Sequence, residues 1–403
     1  MRQLPKNTKS VFRLECWRSA GAGAIESAGM TILLLIGVRY FEFSEGFKSL
    51  IATAGSLGLL VGPLLVYWVQ TQRTNISLVA QRISLIGAAF FLMMFLFRTP
   101  TVFAFLGVCA MTCSSANIPL ISSYHQKFFP SEIRGRLFSR VIMIRIITVS
   151  LVSFLAGLIL KLSIDLWPYV ILFFCLSYLL VAFFLSKYPE YHLERNEVHS
   201  PLSGFHWLKK DPLFLWTLVS WMIMGCGNLM MLPLRVQYLS DAENGYWLSA
   251  EIVTFILAVV PSVVRLLFVP FWGGLFDKIS LFRLRIFLNL FYAAHILLFF
   301  QMKSIWGLIL AGIIFGIAHS GGDVAWNLWV TRLAPSGRAA DYMSVHTFLT
   351  GVRGFCSPFL GFWLLSFMSY SSISIISGIL IIFASSFILR PAFCKLDLKR
   401  RIE

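Results

Sequence analysis

The sequence has few charged residues, and few acidic ones in particular. Only 13% of the 403 residues are charged, and 18 Asp and Glu stand against 34 Lys and Arg. A soluble domain needs a largely polar surface, and a chain with 58% hydrophobic residues does not supply one at this length. A soluble globular fold is therefore excluded, and lipid must solvate much of the chain.

Two other signals are missing. The 7 cysteines are odd in number and most fall within apolar segments, so no disulfide framework is implied. No nucleotide-binding loop of the Gly-x4-Gly-Lys-Ser/Thr kind occurs. We therefore expect no cofactor and no metal, and an ion or solute gradient must drive any transport.

Long apolar runs dominate what is present. About 20 mainly apolar residues are needed to cross the hydrocarbon of a bilayer, and twelve runs approach or exceed this length. They cover residues 19–40, 46–70, 76–97, 100–124, 137–160, 164–186, 212–236, 248–272, 280–302, 304–331, 341–367 and 370–390. The runs lack the alternating pattern of outer-membrane barrels, so they predict transmembrane α-helices.

The net charge of +16 follows the membrane topology. Most Lys and Arg fall at the N-terminus, in the even-numbered connections and at the C-terminus. Cytoplasmic loops carry an excess of these residues, so both termini are predicted to be cytoplasmic. We expect a multi-pass protein of the inner, or cytoplasmic, membrane. The basic charge then needs no nucleic acid partner.

A polar break divides the chain into two halves. We predict an N-terminal six-helix bundle over residues 1–186, a cytoplasmic linker over 187–211 and a C-terminal six-helix bundle over 212–403. The loops FPSEIRGRLFS (129–139) and APSGRAADYMS (334–344) share Pro-Ser and a later Ser at the same spacing. The fold class predicted is an all-α polytopic membrane protein with 12 transmembrane helices in two pseudo-repeated bundles.

The segment GGLFDKISLFRLR (273–285) resembles the cytoplasmic signature of the major facilitator superfamily, Gly-x-Leu-x-Asp-Arg/Lys-x-Gly-Arg/Lys. The residues that fit are Gly273, Leu275, Asp277 and Lys278. Ser280 stands where a second Gly is usual, and the later basic residues are displaced to Arg283 and Arg285. The corresponding loop of the first half has lost its carboxylate.

The resemblance implies a secondary transporter whose first, fourth, seventh and tenth helices line a central cavity. It also implies a gate at the signature, where Gly273 lets two helices approach closely, with Asp277, Lys278 and Arg283 as its polar residues. The alternative is an ordinary loop carboxylate among basic residues.

Five ionisable residues within the predicted spans are candidates for a functional role. A charge at the bilayer centre costs about 2.5–3.5 kcal/mol or more, so such residues persist where they face a cavity or a partner. They are Glu26, Arg145, Arg265, Asp323 and Arg353. Glu26 and Asp323, one from each half, are the predicted proton carriers. The alternative is a fixed interhelical ion pair that closes the cytoplasmic side.

Other polar residues complete the predicted binding site. His319 precedes Asp323 by one helical turn and shares its face. The uncharged candidates are Asn117, Asn228, Trp326 and Asn327. The three intramembrane Arg outnumber the two carboxylates, which suits an anionic solute.

These features predict a secondary active transporter that moves a small polar, and in one interpretation anionic, solute by alternating access with proton coupling. The expected partners are that solute, the proton and the bilayer, and the chain is expected to be a monomer. We expect no enzyme activity. Two alternatives stay open: a membrane enzyme that uses His319, Asp323 and His346 on a lipid-embedded substrate, and a sensor that keeps the fold without transport.

Overall fold

In a computed structural model the chain is built from helices. The structure describes residues 6–130, 133–193, 203–242, 245–335 and 339–389. Within these ranges there is no β-strand, and eleven helices are long and apolar enough to cross a membrane. A further apolar helix at the end of the described chain is shorter. The prediction of an all-helical membrane protein is confirmed.

The helices follow the predicted apolar runs closely. In chain order they are α1 (Asn7–Arg39), α2 (Glu45–Gln72), α3 (Ile76–Leu96), α4 (Pro100–Phe128), α5 (Arg134–Leu162), α6 (Trp167–Leu185), α7 (Pro212–Ser240), α8 (Ala250–Phe276), α9 (Leu281–Gln301), α10 (Ile305–Leu333), α11 (Ala339–Leu365) and α12 (Tyr370–Ser386). Polar side chains accept hydrogen bonds from the first free N–H groups of several helices, as Thr99 does before α4 and Asp211 before α7. These caps set where the helices begin.

The first helix differs from the prediction. It begins at Asn7, well before the expected start at residue 19. The early turns contain charged side chains, which made them look like a cytoplasmic tail. Glu15 and Arg18 are buried against each other, so these charges are compensated inside the protein. The polar start of α1 therefore belongs to the helical bundle.

Three helices are irregular near their middle. The π-helical turns Ala28–Ile32 in α1 and Phe255–Val259 in α8 contact each other across the two halves of the chain. Helix α4 is interrupted at Asn117, two residues before Pro119. Interruptions of this kind redirect side chains and are frequent at functional sites. They occur here in three helices that line one cavity.

The two halves pack through small residues. Helix α2 lies along α11, where a Cβ atom on Gly351 would lie 2.9 Å from the backbone N of Leu60. Helix α5 packs on the start of α8 at Gly157, whose added Cβ would lie 2.2 Å from Thr254 Oγ1. Small residues let membrane helices approach closely in the absence of a hydrophobic driving force.

The predicted linker also makes tertiary contacts. The short helix Trp207–Lys210 lies within it, and the Trp207 indole Nε1 donates to Asp341 Oδ2 at 3.3 Å. The Phe205 and Phe348 rings lie 5.7 Å apart. This part of residues 187–211 is therefore docked on α11, in contrast to the solvated link expected from its composition.

Candidate functional site

A cavity of about 290 Å³ lies between helices of the first half and helices α8 and α10 of the second half. Seven of the predicted site residues line it: Glu26, Asn117, Arg145, Arg265, His319, Asp323 and Trp326. Side chains that are far apart in the sequence are thus brought to one polar space. Its volume is near the lower end of the range for ligand pockets, about 300–1,000 Å³, so it suits a small solute.

The first half contributes one ion pair to the cavity. Helices α1 and α5 meet at Gly23, where an added Cβ would lie 2.6 Å from the Arg145 carbonyl oxygen. This close approach brings Glu26, one helical turn later, against Arg145, and Arg145 Nε donates to Glu26 Oε2. The Glu26 side chain is 23% exposed and the Arg145 side chain is 37% exposed, and both line the cavity.

The second half contributes a similar pair. Helices α8 and α10 meet at Gly316, where an added Cβ would lie 2.7 Å from the Pro261 carbonyl oxygen. Arg265 Nε donates to Asp323 Oδ2 at 2.6 Å. His319 Nε2 lies 3.9 Å from Asp323 Oδ1, which is within electrostatic range but too long for a hydrogen bond.

Two uncharged candidates also line the cavity. The Asn117 amide donates to the Ala80 carbonyl oxygen at 3.2 Å and to Ser84 Oγ at 3.1 Å. Its own Oδ1 is buried and has no hydrogen-bond partner. The Trp326 ring lies 5.5 Å from the His346 ring, so one side of the indole packs within the second half. Asn117 thus lines the cavity with its amide already hydrogen-bonded and with its Oδ1 shielded from the cavity.

Other predicted site residues lie elsewhere. Arg353 donates to the Trp221 carbonyl oxygen, and its guanidinium occupies the space beside Gly225. Asn228 Oδ1 is buried without a hydrogen-bond partner. Neither residue lines the cavity. The side chain of Asn327 lies outside the described part of the structure.

The role of the gate signature stays a prediction. No described atom lies within 4 Å of a Cβ added to Gly273, so no other helix approaches closely at this glycine in this conformation. Lys278 and Arg283 are exposed, and the side chain of Asp277 lies outside the described residues. Instead, Arg332 of α10 donates to the carbonyl oxygens of Phe276 at 3.0 Å and Ile279 at 2.9 Å. A residue that we did not predict thus ties this loop to α10.

A buried charged network near the start of α1 was also missed. Arg18 donates to both carboxylate oxygens of Glu15, at 2.7 and 2.6 Å, and His125 Nε2 lies 3.0 Å from Glu15 Oε1. The Tyr188 hydroxyl donates to Glu15 Oε2. Burial and the Glu15 carboxylate raise the pKa of Tyr188 well above its usual value, so Tyr188 stays a neutral donor. The i, i+3 spacing of Glu15 and Arg18 was the available signal.

Two further buried cations in the second half have aromatic partners. The Arg235 guanidinium lies 4.3 Å from the Phe315 ring centre, and its Nη1 lies 3.3 Å from His295 Nε2. The Arg285 guanidinium lies 3.8 Å from the Trp221 ring. A desolvated cation over an aromatic face gains about 2 kcal/mol or more. Both residues lie near the end of a predicted span, where a charged side chain is common, so the sequence did not single them out.

Among the described residues, three polar contacts between the two halves lie at one end of the bundle. Lys161 Nζ lies 2.7 Å from Glu251 Oε1, and Gln237 Nε2 donates to Glu45 Oε1 at 3.5 Å. Arg39 donates to the backbone carbonyl of the residue after Trp247 and lies over the Trp247 ring. These residues are at the ends of α1, α5 and α7 and at the starts of α2 and α8. By contrast, the cavity extends toward the opposite end, where Glu15 and His125 lie.

Comparison with known proteins gives a consistent result. The sequence profile described as the Major Facilitator Superfamily matches residues 20–259. No curated protein matches the chain by sequence.

Several solved transporters have a similar fold. One is a nucleoside transporter, with a TM-score of 0.73, 13% identity, and coverage of 96% of this chain and 100% of that chain. Another is a D-xylose–proton symporter, with a TM-score of 0.72, 16% identity, and coverage of 96% and 98%. A third is a bacterial homologue of the human lysosomal transporter Spinster in an inward-facing, unoccupied conformation, with a TM-score of 0.71, 13% identity, and coverage of 98% and 99%. At these identities the similarity concerns the fold.

Proposed function

The chain belongs to the major facilitator superfamily, and we propose that it is a secondary active transporter that moves a small polar solute by alternating access. The observation that carries this proposal is the polar cavity between the halves, with one acid–arginine pair from each half. Such a site, placed where two bundles meet, can be exposed to either side as the bundles rock.

The distribution of contacts supports an inward-facing conformation. The Lys161–Glu251 pair joins α5 and α8 at the end that the charge pattern assigns to the outside. The cavity reaches Glu15 and His125 near the opposite, predicted cytoplasmic, end. Breaking the outer contacts and forming inner ones would turn the cavity to the other side of the membrane.

Proton coupling is the favoured energy source. Glu26 and Asp323 are each paired with an arginine and partly exposed to the cavity. A carboxylate that loses its arginine in a low-dielectric space takes up a proton more readily, so proton binding and a change in pairing would be linked. The alternative for both residues is a pair that never opens and serves only to hold its two helices together.

The family and the transporter fold indicate a transporter and not an enzyme. The enzyme alternative needed His319, Asp323 and His346 at one place. His346 is fully buried and packs against the Trp221, Trp326 and Trp329 rings, outside the residues that line the cavity. The alternative of a sensor without transport rests on the lost carboxylate of the first-half loop alone.

The remaining elements of the proposal concern organisation. We propose a monomer in the cytoplasmic membrane with both termini in the cytoplasm. Residues 1–186 and 212–403 would form the two pseudo-repeated six-helix bundles, joined by 187–211. The charge distribution along the loops and the recurring Pro-Ser loop support this arrangement.

Counterflow in proteoliposomes tests the transport proposal. Vesicles loaded with one unlabelled solute from a panel of amino acids, sugars, nucleosides and organic acids should accumulate the same labelled solute from outside. Glu26→Gln and Asp323→Asn should weaken solute-driven proton uptake, whereas the exposed Glu42→Gln should leave it unchanged. Undiminished proton uptake in both cavity variants would refute the proton-carrier roles, and absence of exchange for every solute would refute transport.

A further inference from the structure

The charges around the cavity balance. The carboxylates that line it are Glu15, Glu26 and Asp323, and the guanidiniums are Arg18, Arg145 and Arg265. The charges of these three carboxylates and three guanidiniums sum to zero. The positive excess counted from the sequence is absent because Arg353 lies outside the cavity. An anionic solute would thus meet no net opposite charge.

The three pairs differ in their access to a ligand. In the Glu15–Arg18 pair the side chains are only 1% and 11% exposed, and Glu15 also contacts His125 and Tyr188. The protein itself therefore supplies the polar partners of this pair, and a solute has little access to its charges. The Glu26–Arg145 and Asp323–Arg265 pairs are more open, with the carboxylates 23% and 27% exposed. A solute can therefore reach one acid and one arginine from each half.

The two open pairs form one electrostatic group. Glu26 of the first half also interacts with Arg265 of the second half, besides its own partner Arg145. The charges of the two halves are thus coupled across the cavity. A solute with a carboxylate and an ammonium group can bind arginine with the first and carboxylate with the second.

Two uncharged donors that line the cavity are already used. The Asn117 amide and the Ser19 hydroxyl donate within the protein, to Ala80 and Ser84 and to the Val141 carbonyl oxygen, respectively. The Asn117 carbonyl oxygen has no hydrogen-bond partner but is buried away from the cavity surface. The cavity thus offers charged donors and charged acceptors.

We propose that the solute is a small zwitterion, with a carboxylate that binds Arg145 and Arg265 and an ammonium group that binds Glu26 and Asp323. This inference rests on the proposed transport function. A zwitterion leaves the cavity neutral when it enters, whereas a solute with one charge leaves an uncompensated charge in a low-dielectric space. A neutral solute that separates the ion pairs supplies no charge to replace the lost partners.

Matched solutes test this inference. The probes are amino acids and dipeptides, each compared with the amine that lacks its carboxylate and the acid that lacks its ammonium group. Thermal stabilisation of purified protein reports binding, and counterflow reports transport. At least one zwitterion should bind about tenfold or more tightly than both of its analogues, because each lost charge-assisted hydrogen bond costs about 1.5–3 kcal/mol.

Variants give a second readout that a structural role would not produce. Arg145→Gln leaves the cavity with a net negative charge, so preference should shift from the zwitterion toward the amine. Glu26→Gln should shift it toward the acid. Arg353→Gln, which removes an arginine outside the cavity, should leave the order of the three solutes unchanged.

The outcomes separate the two proposals. Binding and exchange of a sugar, a nucleoside or a singly charged acid, without competition from any zwitterion, would overturn the zwitterion inference and leave transport intact. Stabilisation by a zwitterion without exchange would support the site and refute transport. No stabilisation and no exchange by any probe would overturn both.

Discussion

Gly157 controls the closest approach of α5 and α8 between the halves. A Cβ atom added there would lie 2.2 Å from Thr254 Oγ1 and 3.0 Å from Glu251 Cα. Ordinary contacts are about 3.5–4.0 Å. The Thr254 side chain can rotate away, but the Glu251 backbone moves only with its helix. Gly157→Ala must therefore separate α5 from the start of α8, next to the Lys161–Glu251 pair.

The size of this effect follows from the cost of overpacking. Inserting a methyl group into a tight contact costs about 1–3 kcal/mol. The cost applies only to the conformation in which these helices touch, so the ratio of outward-open to inward-facing protein should rise about 5–150-fold. The matched control is Gly55→Ala, because no atom lies within 4 Å of a Cβ there. The gain in helix propensity is similar in both variants.

Distances between spin labels measure this ratio. Leu162 at the end of α5 and Trp306 at the start of α10 are 80% and 77% exposed, and both lie at the predicted outer end. With cysteines at these positions and the native cysteines replaced, Gly157→Ala should enrich the longer distances. Folded Gly157→Ala protein with the same distribution as Gly55→Ala would refute the reasoning.

Two further predictions concern stability, measured by SDS titration in mixed micelles. Asp323→Asn removes the carboxylate that accepts the Arg265 hydrogen bond, and because Asp323 is 27% exposed the cost should be about 2 kcal/mol, below the 3–5 kcal/mol for a fully buried pair. Arg265→Gln should lower the free energy of unfolding by about 1–3 kcal/mol less in the Asp323→Asn variant than in the wild-type protein. Additive losses of the two substitutions would contradict a direct ion pair. Glu15→Gln leaves the buried Arg18 without its carboxylate and should cost about 3–5 kcal/mol. The exposed Glu42→Gln should stay within about 0.5 kcal/mol, and an equal loss in both would show that the Glu15 network is not stabilising.

The helix positions were largely predictable because each apolar run is long enough to cross lipid by itself. The error at the start of α1 shows the limit of this reasoning. Its early turns are polar, and Glu15 is fully buried only because His125 and Tyr188, distant in sequence, surround it. Hydropathy reports the solvent that a segment prefers, but it does not show which partners compensate its charges.

The sequence predicted many of the residues that line the site, but it did not predict which of them contact each other. Glu26 and Asp323 stood out because a carboxylate in an apolar run is costly unless it is compensated. The contact of Glu26 with Arg145 depends on Gly23, and the separation of Arg353 from the cavity depends on its contact with Trp221. A count of intramembrane charges could not distinguish an arginine in the cavity from one that is packed elsewhere.

The sequence by itself determined that this protein is a helical membrane protein, since 58% hydrophobic residues in bilayer-length runs allow no other solvent for the chain. Only the tertiary structure decided that Glu26 pairs with Arg145, that Asp323 pairs with Arg265 and that both pairs face one neutral cavity. The physical reason is that the two effects depend on different parts of the chain. Partition into lipid depends on the composition of each segment, whereas an ion pair depends on the distance between two atoms, which is set by how the helices cross.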